Sequence, residues 1–140
     1  MRGGVATALL LGGLFGGPAC GGEAAGSKQA ARSQPAELPA VEPQEIVREH
    51  FAAVVAGDCE SLRGSLVGQA RARFDEVGCQ AVIDEYVEHG AQLLGIAEVR
   101  KDGRDARRRL VSARLGTEED ERVVVIGVRA DGGAWRIDQI

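Results

Sequence analysis

Between Gly90 and Ala91 the sequence changes its period. From Pro43 to Gly90 apolar residues return every three or four positions; from Ala91 onward they alternate. The first spacing is one face of a helix and the second is one face of a strand. A chain whose helices come first and whose strands come second is confined to an α+β domain.

The first helix is expected over Pro43–Ala56. Ile46, Val47, His50, Phe51 and Val54 share one face. Pro43 suits the first turn, where its missing N–H costs nothing. Glu45 favours the positive end of the helix dipole. Gly57 can close the helix in a left-handed conformation, and Asp58 can cap the next turn through Ser61. Leu62, Leu66 and Val67, then Ala70, Phe74 and Val77, are interrupted by Gly64 and Gly68 and predict one or two short helices. Cys79, Val82, Ile83, Tyr86 and Val87 mark a further helix that ends at Gly90, with His89 in its last turn.

In the strand half, Leu93, Ala97 and Val99 alternate with Leu94, Ile96 and Glu98. Asp102-Gly103 is a hairpin signal. Arg107, Arg109, Val111, Ala113 and Leu115 then share one face. After the polar turn Gly116–Asp120, the near-continuous run Val123–Val128 predicts a central strand covered on both faces for part of its length. Asp131-Gly132-Gly133 is another turn, and Trp135 and Ile137 point to one side of a last strand. The whole predicts an antiparallel meander of about four strands with the helices on one face.

The chain ahead of these helices has a different character. Met1–Ala19 carries one charge, Arg2, and Val5–Phe15 is an apolar run of the length of a signal-peptide core, too short to span a bilayer. Gly17-Pro18-Ala19-Cys20 resembles a bacterial lipobox, although Gly17 stands where an aliphatic residue is usual. The resemblance implies cleavage before Cys20 and acylation of its thiol; Gly17 and Ala19 equally suit an ordinary signal peptidase, whose product would be a soluble periplasmic or secreted protein. Gly21–Val41 contains Pro35 and Pro39 and no sustained apolar period, as a linker would. The expected division is a leader over 1–19, a flexible linker over 20–41 and a domain over 42–140.

Export bears on the cysteines. There are three, Cys20, Cys59 and Cys79. In an oxidising compartment Cys59 and Cys79 pair by default, which leaves Cys20 for lipid or as an exposed thiol. Neither has a further Cys or His at ligand spacing, so no metal site is expected, and no C-x-x-C redox pair exists. The formal net charge is −4 and aromatics make up 4%. Nucleic acid, which calls for a basic face and stacking platforms, is not an expected partner. Arg100, Lys101, Arg104, Arg107, Arg108, Arg109 and Arg114 do cluster around the first hairpin, either to meet an anionic surface or as a solvated edge that blocks strand pairing.

The segments PQEIVREHFAAVVAGDCESL, CQAVIDEYVEHG and VVVIGVRADGGAWRIDQI together are similar to small exported members of the nuclear transport factor 2-like superfamily, also called cystatin-like or ketosteroid-isomerase-like. The resemblance spans Glu42–Ile140. It implies a curved sheet wrapping helices into a cone with a pocket at the wide end. His50, Tyr86 and Trp135 are the candidates to line that pocket, each with a plain packing role as the alternative. No catalytic set maps onto the chain, and no Ser/His/Asp set, H-E-x-x-H or P-loop is present. The expectation is therefore an exported lipoprotein, held to a membrane of the bacterial cell envelope by lipid on Cys20. Its domain would bind an envelope protein or a small apolar ligand without catalysis and without a cofactor. A pocket isomerase or dehydratase, or an assembly component of an envelope complex, is the alternative.

Overall fold

The computed structural model describes residues 37–140. The expected leader, Cys20 and most of the expected linker lie outside the described residues. Four helices, α1 (Pro43–Ala56), α2 (Cys59–Gly64), α3 (Gly68–Val77) and α4 (Cys79–Glu88), precede four strands, β1 (Leu93–Asp102), β2 (Asp105–Gly116), β3 (Glu121–Asp131) and β4 (Ala134–Gln139). The strands form one antiparallel sheet in the order β1-β2-β3-β4. The α+β class and the four-stranded meander stand as expected.

Local chemistry sets the helix boundaries. Pro43 occupies the first turn of α1, and Gly57 ends it at φ 68°, a conformation that costs a residue without Cβ nothing. The Asp58 carboxylate accepts the Ser61 backbone N–H at 3.1 Å and so starts α2. A disulfide joins Cys59 and Cys79, the first residues of α2 and α4, with Cα atoms 5.7 Å apart.

One hydrophobic core gathers Val47, Phe51, Leu62, Phe74, Val111, Ile126, Val128, Trp135 and Ile137. Strand register explains the sheet's share. Val111 lies opposite Ile126, Val128 opposite Ile137, and Ala130 opposite Trp135. Complete burial of each aliphatic side chain is worth roughly 1.5–3 kcal/mol. The Ser65–Val67 segment pairs with the free edge of β4: the Ile137 N–H donates to the Ser65 carbonyl at 2.8 Å, and the Val67 N–H donates to the Ile137 carbonyl at 2.9 Å. This covers part of an edge that would otherwise invite another strand.

Two details of the strands differ from expectation. Simple alternation in β1 is broken by bulges, so that Leu93, Ile96 and Val99 are the residues opposite Leu115, Ala113 and Val111. Each bulge inserts a residue and advances the face by one position. The run Val123–Val128 is not covered on both sides along its start, since Val123 and Val125 are 58% and 45% exposed. Only further along, at Gly127, does the outer face acquire a cover, the Arg108 guanidinium and the Asp138 carboxylate.

Candidate functional site

His50 points inward from α1 and is 1% exposed. A buried imidazole needs partners for both nitrogens, and it has them. Its Nδ1 lies 2.8 Å from the Ser65 hydroxyl and its Nε2 lies 2.9 Å from the Tyr86 hydroxyl. The Ser65 hydroxyl donates its one proton to the Leu62 carbonyl at 2.7 Å, so it can only accept from His50. Nδ1 therefore carries the ring proton, and Nε2 accepts from Tyr86. The result is a one-way chain of hydrogen bonds, from Tyr86 through His50 and Ser65 to a backbone carbonyl.

Burial keeps this chain neutral. Desolvation lowers the His50 pKa to about 4. It also raises the Tyr86 pKa to about 12, with the Glu85 carboxylate adding to the rise and Arg73 opposing it. At neutral pH the imidazole is uncharged and the phenol keeps its proton. The rings of His50, Phe51 and Tyr86 meet edge to face at centroid distances of 5.5–5.7 Å.

Tyr86 and His50 form part of the wall of a cleft of about 420 Å³, within the roughly 300–1,000 Å³ of small-molecule sites. Leu66, Ala70, Phe74, Val82, Leu115 and Val124 supply apolar wall. Gln69, Arg73, Glu85, His89, Arg122, Asp138 and Gln139 supply polar groups. The Arg73 guanidinium holds the Glu85 carboxylate through bonds of 2.9 and 2.7 Å, which ties α3 to α4 and keeps Glu85 below its usual carboxylate range. Arg122 donates to the His89 carbonyl at 2.9 Å. A wider groove of about 710 Å³, lined by Phe51, Val54, Val55, Ile83 and Val87 among others, also touches Tyr86 but does not reach His50.

Trp135 is not among the residues lining either cavity. It is 5% exposed, and its indole N–H donates to the Val41 carbonyl at 2.7 Å, fastening the segment that leads into α1. The Arg109 guanidinium lies 5.5 Å from the indole ring centre on its other duty, a cation–π contact. The structure thus brings together His50 and Tyr86 but leaves Trp135 as a packing residue.

Four of the seven residues of the basic cluster are engaged within the domain, while Arg100, Lys101 and Arg104 are exposed. Arg108 pairs with Asp102 and Asp138, both at 3.0 Å. Arg107 donates to the Ala130 carbonyl, and Arg109 to the carbonyls of Ala106 and Arg108. Arg114 lies 3.5 Å from Glu121. Sequence reasoning missed Ser65, Arg122 and Asp138. Ser65 sits in a connection with no motif. Arg122 had a signal, a charge two residues before Val124 on the core-facing alternation of β3, hidden because Val123–Val128 is apolar at every position but Gly127.

Among the described residues no group of three or more His, Cys, Asp or Glu side chains is placed to hold a metal ion. Compared with protein families and with curated proteins, the chain matches no family model and no curated protein.

Proposed function

We propose that this chain is an exported lipoprotein, tethered to a cell-envelope membrane through Cys20, whose domain holds a small apolar ligand in the 420 Å³ cleft without transforming it. The observation that carries this reading is the cleft itself: a mainly apolar wall in which the Tyr86–His50 pair is already satisfied and uncharged and Arg73 and Glu85 satisfy each other. A pocket isomerase or dehydratase would need a base with a free lone pair near neutral pH. The Nε2 lone pair of His50 is spent on Tyr86, and burial holds its pKa about 4. The phenol oxygen of Tyr86 still has lone pairs, so it offers a ligand an acceptor. Four helices followed by a four-stranded meander support the nuclear transport factor 2-like resemblance.

The neutral fluorescent amine N-phenyl-1-naphthylamine tests the reading, because it is apolar and carries one N–H for Tyr86. With the full chain purified from membranes, its fluorescence should rise on addition of protein. The Val82→Trp variant, which places an indole in the cleft, should weaken binding at least about tenfold. Binding unaffected by Val82→Trp would sink the cleft as the site. No binding at all, with an envelope protein recovered by crosslinking, would turn the reading toward assembly. Mass spectrometry of the same preparation should find acyl chains on Cys20; an unmodified thiol would remove the tether.

A further inference from the structure

We infer that the cleft is built for an amphipathic monocarboxylate whose head group is received by Arg122; this rests on the ligand-binding reading above. The charged side chains that line the cleft include Arg73, Glu85, Arg122 and Asp138. Arg73 is committed to Glu85 through two hydrogen bonds. Asp138 is committed to Arg108 and Arg129. Among the described residues Arg122 makes no ion pair. Its one hydrogen bond goes to the His89 carbonyl, and a guanidinium has five N–H donors in a planar fork.

Its position is also unusual for a residue with no ligand. Arg122 lies opposite Leu115 in the register of β2 and β3, on the same alternation as Val124, Ile126 and Val128. The pattern calls for an apolar side chain there. It carries instead a half-buried cation at the cleft. Holding the C-terminal carbonyls of α4 is one use for such a cation, but it occupies a single N–H.

Tyr86 and Arg122 divide a ligand between them. Tyr86 donates its only proton to His50, so towards the cleft it presents lone pairs, which repel a carboxylate. Arg122 presents only donors. An anionic head is therefore directed to Arg122 and an apolar body to the wall formed by Leu66, Phe74 and Val82. One uncompensated guanidinium matches one negative charge. A diacyl phospholipid, also an anion, brings two long chains, more than a cleft of about 420 Å³ encloses.

The test titrates the full chain with octanoate and with 1-octanol by calorimetry. These probes share an apolar chain and differ in charge. Arg122→Gln should weaken octanoate about five- to tenfold and leave 1-octanol within about twofold. Arg122→Lys, which keeps the charge, should recover part of the octanoate affinity. In the unaltered protein, raising salt from 0.05 to 0.5 M should weaken octanoate and not 1-octanol, a readout that needs no variant to fold. If both probes bind and Arg122→Gln changes neither, or both equally, the carboxylate inference is overturned while the cleft reading survives. If neither probe binds the unaltered protein, the cleft reading itself fails.

Discussion

His50 lies behind the cleft without a charge, whereas Arg108 projects from β2 on the alternation opposite to Val111 and Ala113 and carries a full one. Both are polar groups largely removed from water. His50 is kept by neutrality: burial lowers its pKa to about 4, and each nitrogen has one partner. Arg108 is kept by pairing: its guanidinium contacts Asp102, Asp138 and Gln139, and Arg129 bridges Asp138 and Asp105. Gly127 makes room for this network, since a Cβ there would come within 2.1 Å of the Arg108 Nη2 and 2.5 Å of the Asp138 Oδ1. A buried polar group survives either by discharging or by finding its counter-charge, and this small domain does one on each side of its sheet.

The contrast is easiest to break at its buried end. His50→Ala should cost about 3–4 kcal/mol in urea unfolding, because it opens a cavity and strips partners from Ser65 and Tyr86. A loss below about 1 kcal/mol would mean that the chain of hydrogen bonds is not holding the core.

Acid should separate the two clusters by pH. The unfolded imidazole takes a proton below about 6.5, whereas the folded one resists until about 4. The unfolded state therefore binds more protons in this window, and stability falls as pH falls from about 6.5 to 4, by about 3 kcal/mol. Asp102 and Asp105 are held below their usual range, Asp102 first by the Arg104 backbone N–H and Asp105 first by the Arg107 backbone N–H. Their contribution is present above about pH 3.9 and is lost only as pH falls below it. Melting temperatures of the His50→Leu variant should lose the upper step and keep the lower one.

Asp138→Ala should cost about 2 kcal/mol, since it strands the largely covered Arg108 and loosens Arg129. Salt should shrink that cost, as it screens the remaining charges, while leaving the cost of His50→Ala unchanged. Equal salt dependence of the two variants would erase the distinction. Tyr86→Phe should have the smallest effect, about 1 kcal/mol, by leaving the Nε2 of His50 without its donor.

Much of the frame was legible in short windows. Gly57 ended α1, Asp58 capped α2 through Ser61, and the expected Cys59–Cys79 bridge is present. The face of β1 was not, because bulges are set by the partner strand and not by the strand's own alternation. The site was legible only in part. His50 and Tyr86 stood out as polar tips on apolar helix faces, yet nothing nearby announced Ser65, and Trp135 carried the same signal without reaching the cleft.

The order of helices and strands, most of their caps and turns, and the inward face of α1 were determined by the sequence itself, since these depend on residues three or four positions apart. Val77 and Val87, on the apolar periods of α3 and α4, are by contrast 43% and 72% exposed. Which polar groups meet was decided only by the tertiary structure. His50 finds Tyr86 at a separation of 36 residues, and Arg108 finds Asp138 at 30. Such partners are chosen by how the sheet register and helix packing close loops in space, and no local period encodes that choice.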